Sequence, residues 1–143
     1  MNNHAYFQLD AKAIVKKDDK ILLLITKDVY YDFPGGRMDE SEIDLSLHDI
    51  LKRELKEELS EDFHFDIKNI AFVSKRKYDI CDQENNIVAI FFNVKYISGD
   101  ILLSNEHADS QWIDPKDILG RPEKFISEDE YRQYSTYIRS MNK

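Results

Sequence analysis

Residues 46 to 59, SLHDILKRELKEEL, carry a long helical periodicity with strand-like runs before and after it, and this arrangement constrains the fold most. At about 100° per residue and with Leu47 at zero, Ile50, Leu51 and Leu55 fall at about −60°, +40° and +80°, forming one apolar stripe. A helix with a single stripe must bury it on another layer. Upstream, runs over about 5–15 and 20–26 (KILLLIT) flank the polar turn KKDD and predict a hairpin. Downstream, strands are predicted near 69–80 and 87–97, with SGD at 98–100 as a hairpin turn into DILLS. Asp114 and Pro115 predict the start of a short helix and Gly120 its stop. Ser127 with Glu130 makes a capping box, and Ile126 with Tyr131 a hydrophobic staple, so a last helix is predicted from about 128 to 140. Its Tyr131, Tyr134 and Ile138 recur at helical spacing and read as a packing stripe. The class is α+β, a mixed sheet packed on helices.

The same wheel places Glu54 and Glu58 at about −20° and +20°, inside the apolar stripe, and Glu57 at its edge near about −80°. Adjacent buried carboxylates are costly unless protonated, paired or metal-bound, and two of these are i, i+4 neighbours whose like charges repel. A hard divalent cation relieves both problems. The competing reading ends the stripe near Leu51, so that the last two turns project into solvent with Lys52 and Lys56 in ordinary ion pairs.

Composition narrows the classes. The chain has 143 residues, 42% hydrophobic and 12% aromatic, which argues against a disordered chain and fits one domain over 1–143. No apolar run approaches the roughly 20 residues of a membrane helix, and MNNHAYFQLD lacks the basic-then-apolar signature of export. The expectation is a soluble cytoplasmic protein. The single Cys81 fits a reducing compartment. A formal charge of −8 disfavours a nucleic acid polymer as partner, while a divalent cation would let an acidic protein take a small phosphorylated ligand.

FPGGRMDESE, residues 33 to 42, followed by RELKEEL, residues 53 to 59, resembles the Nudix box of the Nudix hydrolases. Gly36, five residues and Glu42 match the family pattern, as do Arg53, Glu54, Leu55, Glu57 and Glu58 in order. There are two departures: ten residues (43 to 52) separate Glu42 from Arg53 where the pattern has seven, and Ser60 and Glu61 stand where Gly and an aliphatic residue are expected. Ser46 as N-cap places the extra residues in the loop, and Ser60 predicts a shifted or frayed helix end. EHADSQWID, residues 106 to 114, resembles the family's downstream segment, and Trp112 in it reads as core.

The resemblance implies a Nudix-type α/β/α sandwich and Mg²⁺, with Mn²⁺ as the alternative ion. Glu54, Glu57 and Glu58 would hold the metal, with the Gly36 backbone beside them. Glu57, Glu58 and Glu106 are the candidate catalytic carboxylates, and Arg53 would orient Glu42 or a helix carboxylate. On the substrate side the candidates are Arg76, from the basic run Lys75–Lys77, and Tyr78. The activity implied is hydrolysis of a diphosphate linkage in a nucleoside diphosphate derivative, with a dinucleoside polyphosphate as the narrower alternative. A degenerate nucleotide-binding module is the non-enzymatic alternative, and a homodimer is the assembly the resemblance suggests.

Overall fold

A computed structural model describes residues 3–27, 30–80, 83–103 and 109–141, without the side chains of 78–80 and 83–85. Strands β1 (Gln8–Lys17) and β2 (Lys20–Ile25) form the expected hairpin, pairing Lys16 with Ile21 and Lys17 with Lys20. Asp18 makes its turn at φ 54, a left-handed conformation that a short polar side chain tolerates. Then follow β3 (Tyr31–Asp32), β4 (Gly35–Arg37), helix α1 (Leu47–Glu58), β5 (His64–Ile80), β6 (Gln83–Ser98), β7 (Asp109–Ile113) and helix α2 (Glu128–Met141). The sheet order is β3-β2-β1-β6-β5, with β4 also beside β1 and β7 beside β2. β1 runs parallel to β6 while the other pairs are antiparallel, which makes the sheet mixed.

Each face of this sheet carries one helix. Ala11, Ala13, Val15, Leu22 and Leu24 face α1, where Ile50, Leu51, Leu55 and Leu59 close one core. Ile14, Ile21 and Leu23 face α2 and join Phe33, Phe72, Phe91, Tyr134 and Ile138 in the other. KILLLIT reads as an unbroken apolar run because β2 is buried on both sides. Tyr134 and Ile138 pack as expected, and Ser127 Oγ accepts the Glu130 amide at 3.1 Å to cap α2.

The chain departs from the sequence expectation in four places. β5 begins at His64, ahead of the predicted residue 69, because register shifts at 64/65, 67/70 and 70/72 interrupt its alternation. The stretch after SGD is not a strand over 101–103. Gly99 turns at φ 104, and the Leu102 amide donates to Leu59 O at 2.5 Å, satisfying a carbonyl at the end of α1. Ser60 is not left-handed. Its hydroxyl donates to Asp100 O at 2.9 Å, so the same loop ties down a helix end predicted to fray. The short helix after Asp114 is a 3₁₀ turn, Pro115–Ile118.

Candidate metal and catalytic site

The site is built where β4 meets α1. β4 pairs with β1 through Asp10–Arg37, Ala11–Gly36 and Lys12–Gly35. Gly35 lies at φ 137, and a Cβ there would collide with the Ala11 carbonyl and come within 2.8 Å of Lys12 Cα. A Cβ on Gly36 would fall inside the carboxylate of Glu54. These two glycines let the backbone lie directly under the helix carboxylates. The Gly35 amide donates to Glu58 Oε1 at 2.9 Å, while Glu54 rests on Gly36. The stripe therefore continues past Leu51, with Glu58 buried and Glu54 nearly so.

Arg53 gathers the remaining acids. Its Nε and Nη2 reach Glu42 Oε2 and Oε1 at 2.5 and 2.6 Å, a two-pronged contact. Nη2 also donates to Glu54 Oε1 at 2.8 Å, and Nη1 to Glu57 Oε2 at 2.9 Å. The extra loop residues leave this pairing intact. Glu40–Glu42 form a 3₁₀ turn, and Ser46 caps α1 by accepting the Asp49 amide at 3.1 Å, so the added length is taken up between the two elements. The hydrogen bonds from Arg53 hold the Glu42 carboxyl below the usual range. Burial pushes Glu54 up, against the opposing pull of Arg53.

Glu57 differs from its neighbours, with a side chain 60% exposed and turned toward Arg53. Among the described residues no three His, Cys, Asp or Glu side chains converge as a preformed cation cage. One buried and one partly buried carboxylate a turn apart, over a backbone cleared of Cβ atoms, still give the hard-oxygen donor set and the space that suit a divalent cation. The residues present fit such an ion.

Residues 7–134 match the family model of the NUDIX domain. The chain belongs to the Nudix hydrolase family. Its fold is similar to a MutT protein from Methanosarcina mazei Go1, at 22% identity over 96% of both chains with a TM-score of 0.71. A NUDIX hydrolase from Nitrosomonas europaea gives a TM-score of 0.72 at 16% identity, over 94% of this chain and 90% of that one. An ADP-ribose pyrophosphatase from Streptococcus suis gives 0.67 at 19% identity, over 95% and 92%. No curated protein matches the sequence.

Within this Nudix domain the other candidates fall in different places. Arg76 is not available to a phosphate: its side chain points between the sheet and α2, 4% exposed, paired with Glu130 and 3.6 Å from Asp10 Oδ2. Lys75 and Lys77, flanking it on the strand, face outward as alternation requires. Trp112 is half-buried on β7, edge-on to Tyr96 at 5.5 Å. Glu106, Cys81 and the side chain of Tyr78 lie outside the described residues.

Sequence reasoning missed a buried ionic group on the α2 face. Lys12 Nζ donates to Asp32 Oδ1 at 3.3 Å and to Phe33 O at 3.1 Å, and Asp10, Arg76 and Glu130 lie beside it. Burial alone would push the Lys12 ammonium down, but Asp32, Asp10 and Glu58 together hold it above its ordinary value. A signal was present in the chain. Asp10 and Lys12 share the strand parity of Ile14, and Glu130 precedes Tyr134 and Ile138 at helical spacing, so all three charges occupy inward positions.

Proposed function

We propose that this Nudix domain, taken as one unit over 1–143, hydrolyses a diphosphate linkage in a small nucleoside diphosphate derivative with Mg²⁺, or Mn²⁺ in its place. The observation that carries this reading is the seating of Glu54 and Glu58 on Gly35 and Gly36. Glu54, Glu58 and Glu57 would hold the ion, with Gly36 supplying a backbone oxygen. Bound there, a divalent ion neutralises phosphate oxygens and lowers the pKa of a water. Arg53 keeps Glu42 and the helix carboxylates oriented, and its contact with exposed Glu57 breaks when that side chain turns to a ligand. Glu57, Glu58 or Glu106 takes the proton from the attacking water, which meets phosphorus in line with the departing phosphate.

The names of fold neighbours support the class of linkage: one is an ADP-ribose pyrophosphatase. No described helix is long and apolar enough to cross a membrane. The cytoplasmic location and the homodimer expected from the sequence are part of this proposal. A second reading, a nucleotide-binding module without turnover, draws on Arg53 compensating three acids so that the cluster needs no ion.

The test offers the purified protein Mg²⁺ and a panel of nucleoside triphosphates, sugar nucleotides, ADP-ribose and dinucleoside polyphosphates, read by phosphate and nucleotide release. Turnover of one class is expected, falling by about 10²–10⁴-fold in Glu58→Gln. Absence of turnover across the panel, with no Mg²⁺-dependent thermal shift that Glu58→Gln abolishes, would sink the enzyme reading.

A further inference from the structure

The glycine segment that seats the helix carboxylates is itself held from the opposite face of the sheet. Phe33 is fully buried and its carbonyl accepts from Lys12 Nζ at 3.1 Å. The next carbonyl, of Pro34, accepts from the Ala13 amide at 2.8 Å. Gly35 then turns its amide to Glu58. Lys12 is thus the side-chain donor in this series, one peptide from the amide that orients a candidate metal ligand. It is buried, and the Asp32 carboxylate 3.3 Å away holds its ammonium in position.

We infer that Lys12 is a positioning residue for the metal site, acting through Phe33 O and Pro34 to fix the Gly35 amide that aims Glu58. This rests on the metal-dependent reading above. A charged donor to a buried carbonyl is stronger than a neutral one, and if it is lost the carbonyl is left without that donor in an interior that water reaches poorly. The strand segment then has freedom to shift, and Glu58 loses its aim. Groups that orient ligands from behind are worth about 10–100-fold in metal affinity.

The experiment follows the Mg²⁺ midpoint by thermal shift on the apo protein, with kcat and KM at saturating Mg²⁺ as a second reading. Lys12→Met is expected to raise the midpoint by about tenfold or more and to lower kcat more than KM. Lys12→Arg, which keeps a charged donor, is expected to restore most of it. Arg76→Met is the control: it disturbs the same buried charges without touching the glycine segment, and is expected to lower Tm while leaving the midpoint in place. An unchanged midpoint in Lys12→Met overturns the inference, as does an equal rise in Arg76→Met. Where Lys12→Met does not fold, Asp32→Asn is expected to move the midpoint the same way by a smaller factor, and no movement there overturns it. A wild-type protein with no Mg²⁺ response overturns the metal-dependent reading itself, a result distinct from a responsive wild type beside an unaffected Lys12 variant.

Discussion

The two faces of the sheet handle charge in opposite ways. On the α1 side a continuous apolar core ends in a rim of acids, Glu42, Glu54, Glu57 and Glu58, three of them touched by a single partly exposed guanidinium. On the α2 side Asp10, Lys12, Asp32, Arg76 and Glu130 form a group almost entirely shielded from water. Exposed pairs contribute little to stability and exchange partners readily, whereas breaking a buried pair leaves a charge stranded. The rim is suited to receive a ligand, and the interior is suited to hold a shape.

That contrast is most severely tested by Glu130→Leu. It strips buried Arg76 of its nearest carboxylate and leaves it the weaker pull of Asp32 and Asp10, so urea unfolding should show a loss of about 3–5 kcal/mol with catalytic constants little changed. Pairing it with Arg76→Met should cost less than the sum of the two single changes.

Next in size is Gly36→Ala, which drives a methyl into the Glu54 carboxylate. A stability loss of no more than about 1 kcal/mol is expected, because the displaced carboxylate is the far end of a flexible side chain, together with a fall in activity that Glu130→Leu does not show. Equal activity losses in the two variants would erase the distinction between the faces.

Arg53→Lys should cost about 0–1 kcal/mol, since the side chain is partly exposed, yet lower turnover markedly. Lysine has one ammonium and no planar fork to span Glu42, Glu54 and Glu57 together. A denaturation curve beside a turnover assay separates the two effects.

The smallest effect is one of pH. Arg53 lowers the folded-state value of Glu42, so this carboxylate adds stability that is whole above its unfolded value of about 4.3 and drains away as pH falls through the depressed folded one. Tm measured between about pH 5 and pH 3 should fall less steeply in Arg53→Met than in the wild type.

Much of the rim was legible before any coordinates. Helical spacing placed Glu54 and Glu58 in the stripe, Ser46 marked where α1 begins, and the two glycines announced a close backbone approach. These are local signals, carried by residues within one or two turns of each other. The interior network is assembled from β1, β3, β5 and α2, and nothing local couples Asp10 to Arg76 or Arg76 to Glu130. Strand ends were obscured where bulges in β5 broke the alternation, and Ser60 was read for its backbone preference when its role is to bond Asp100 across a loop.

The parallel pairing of β1 with β6 also governs how the molecule must assemble. Gln8 lies opposite Ile87 and Lys16 opposite Lys95, partners roughly 80 residues apart in sequence, so the middle of the sheet closes one of the longest loops in the chain. The β1–β2 and β5–β6 hairpins need no such closure and form on their own faster timescale. Docking of β1 onto β6, like that of β7 onto β2, has to close such a loop, and until it occurs both hairpins present unpaired edges to other copies of the chain. Refolding yield should therefore fall as protein concentration rises, and chaperone demand should track these long-range pairings.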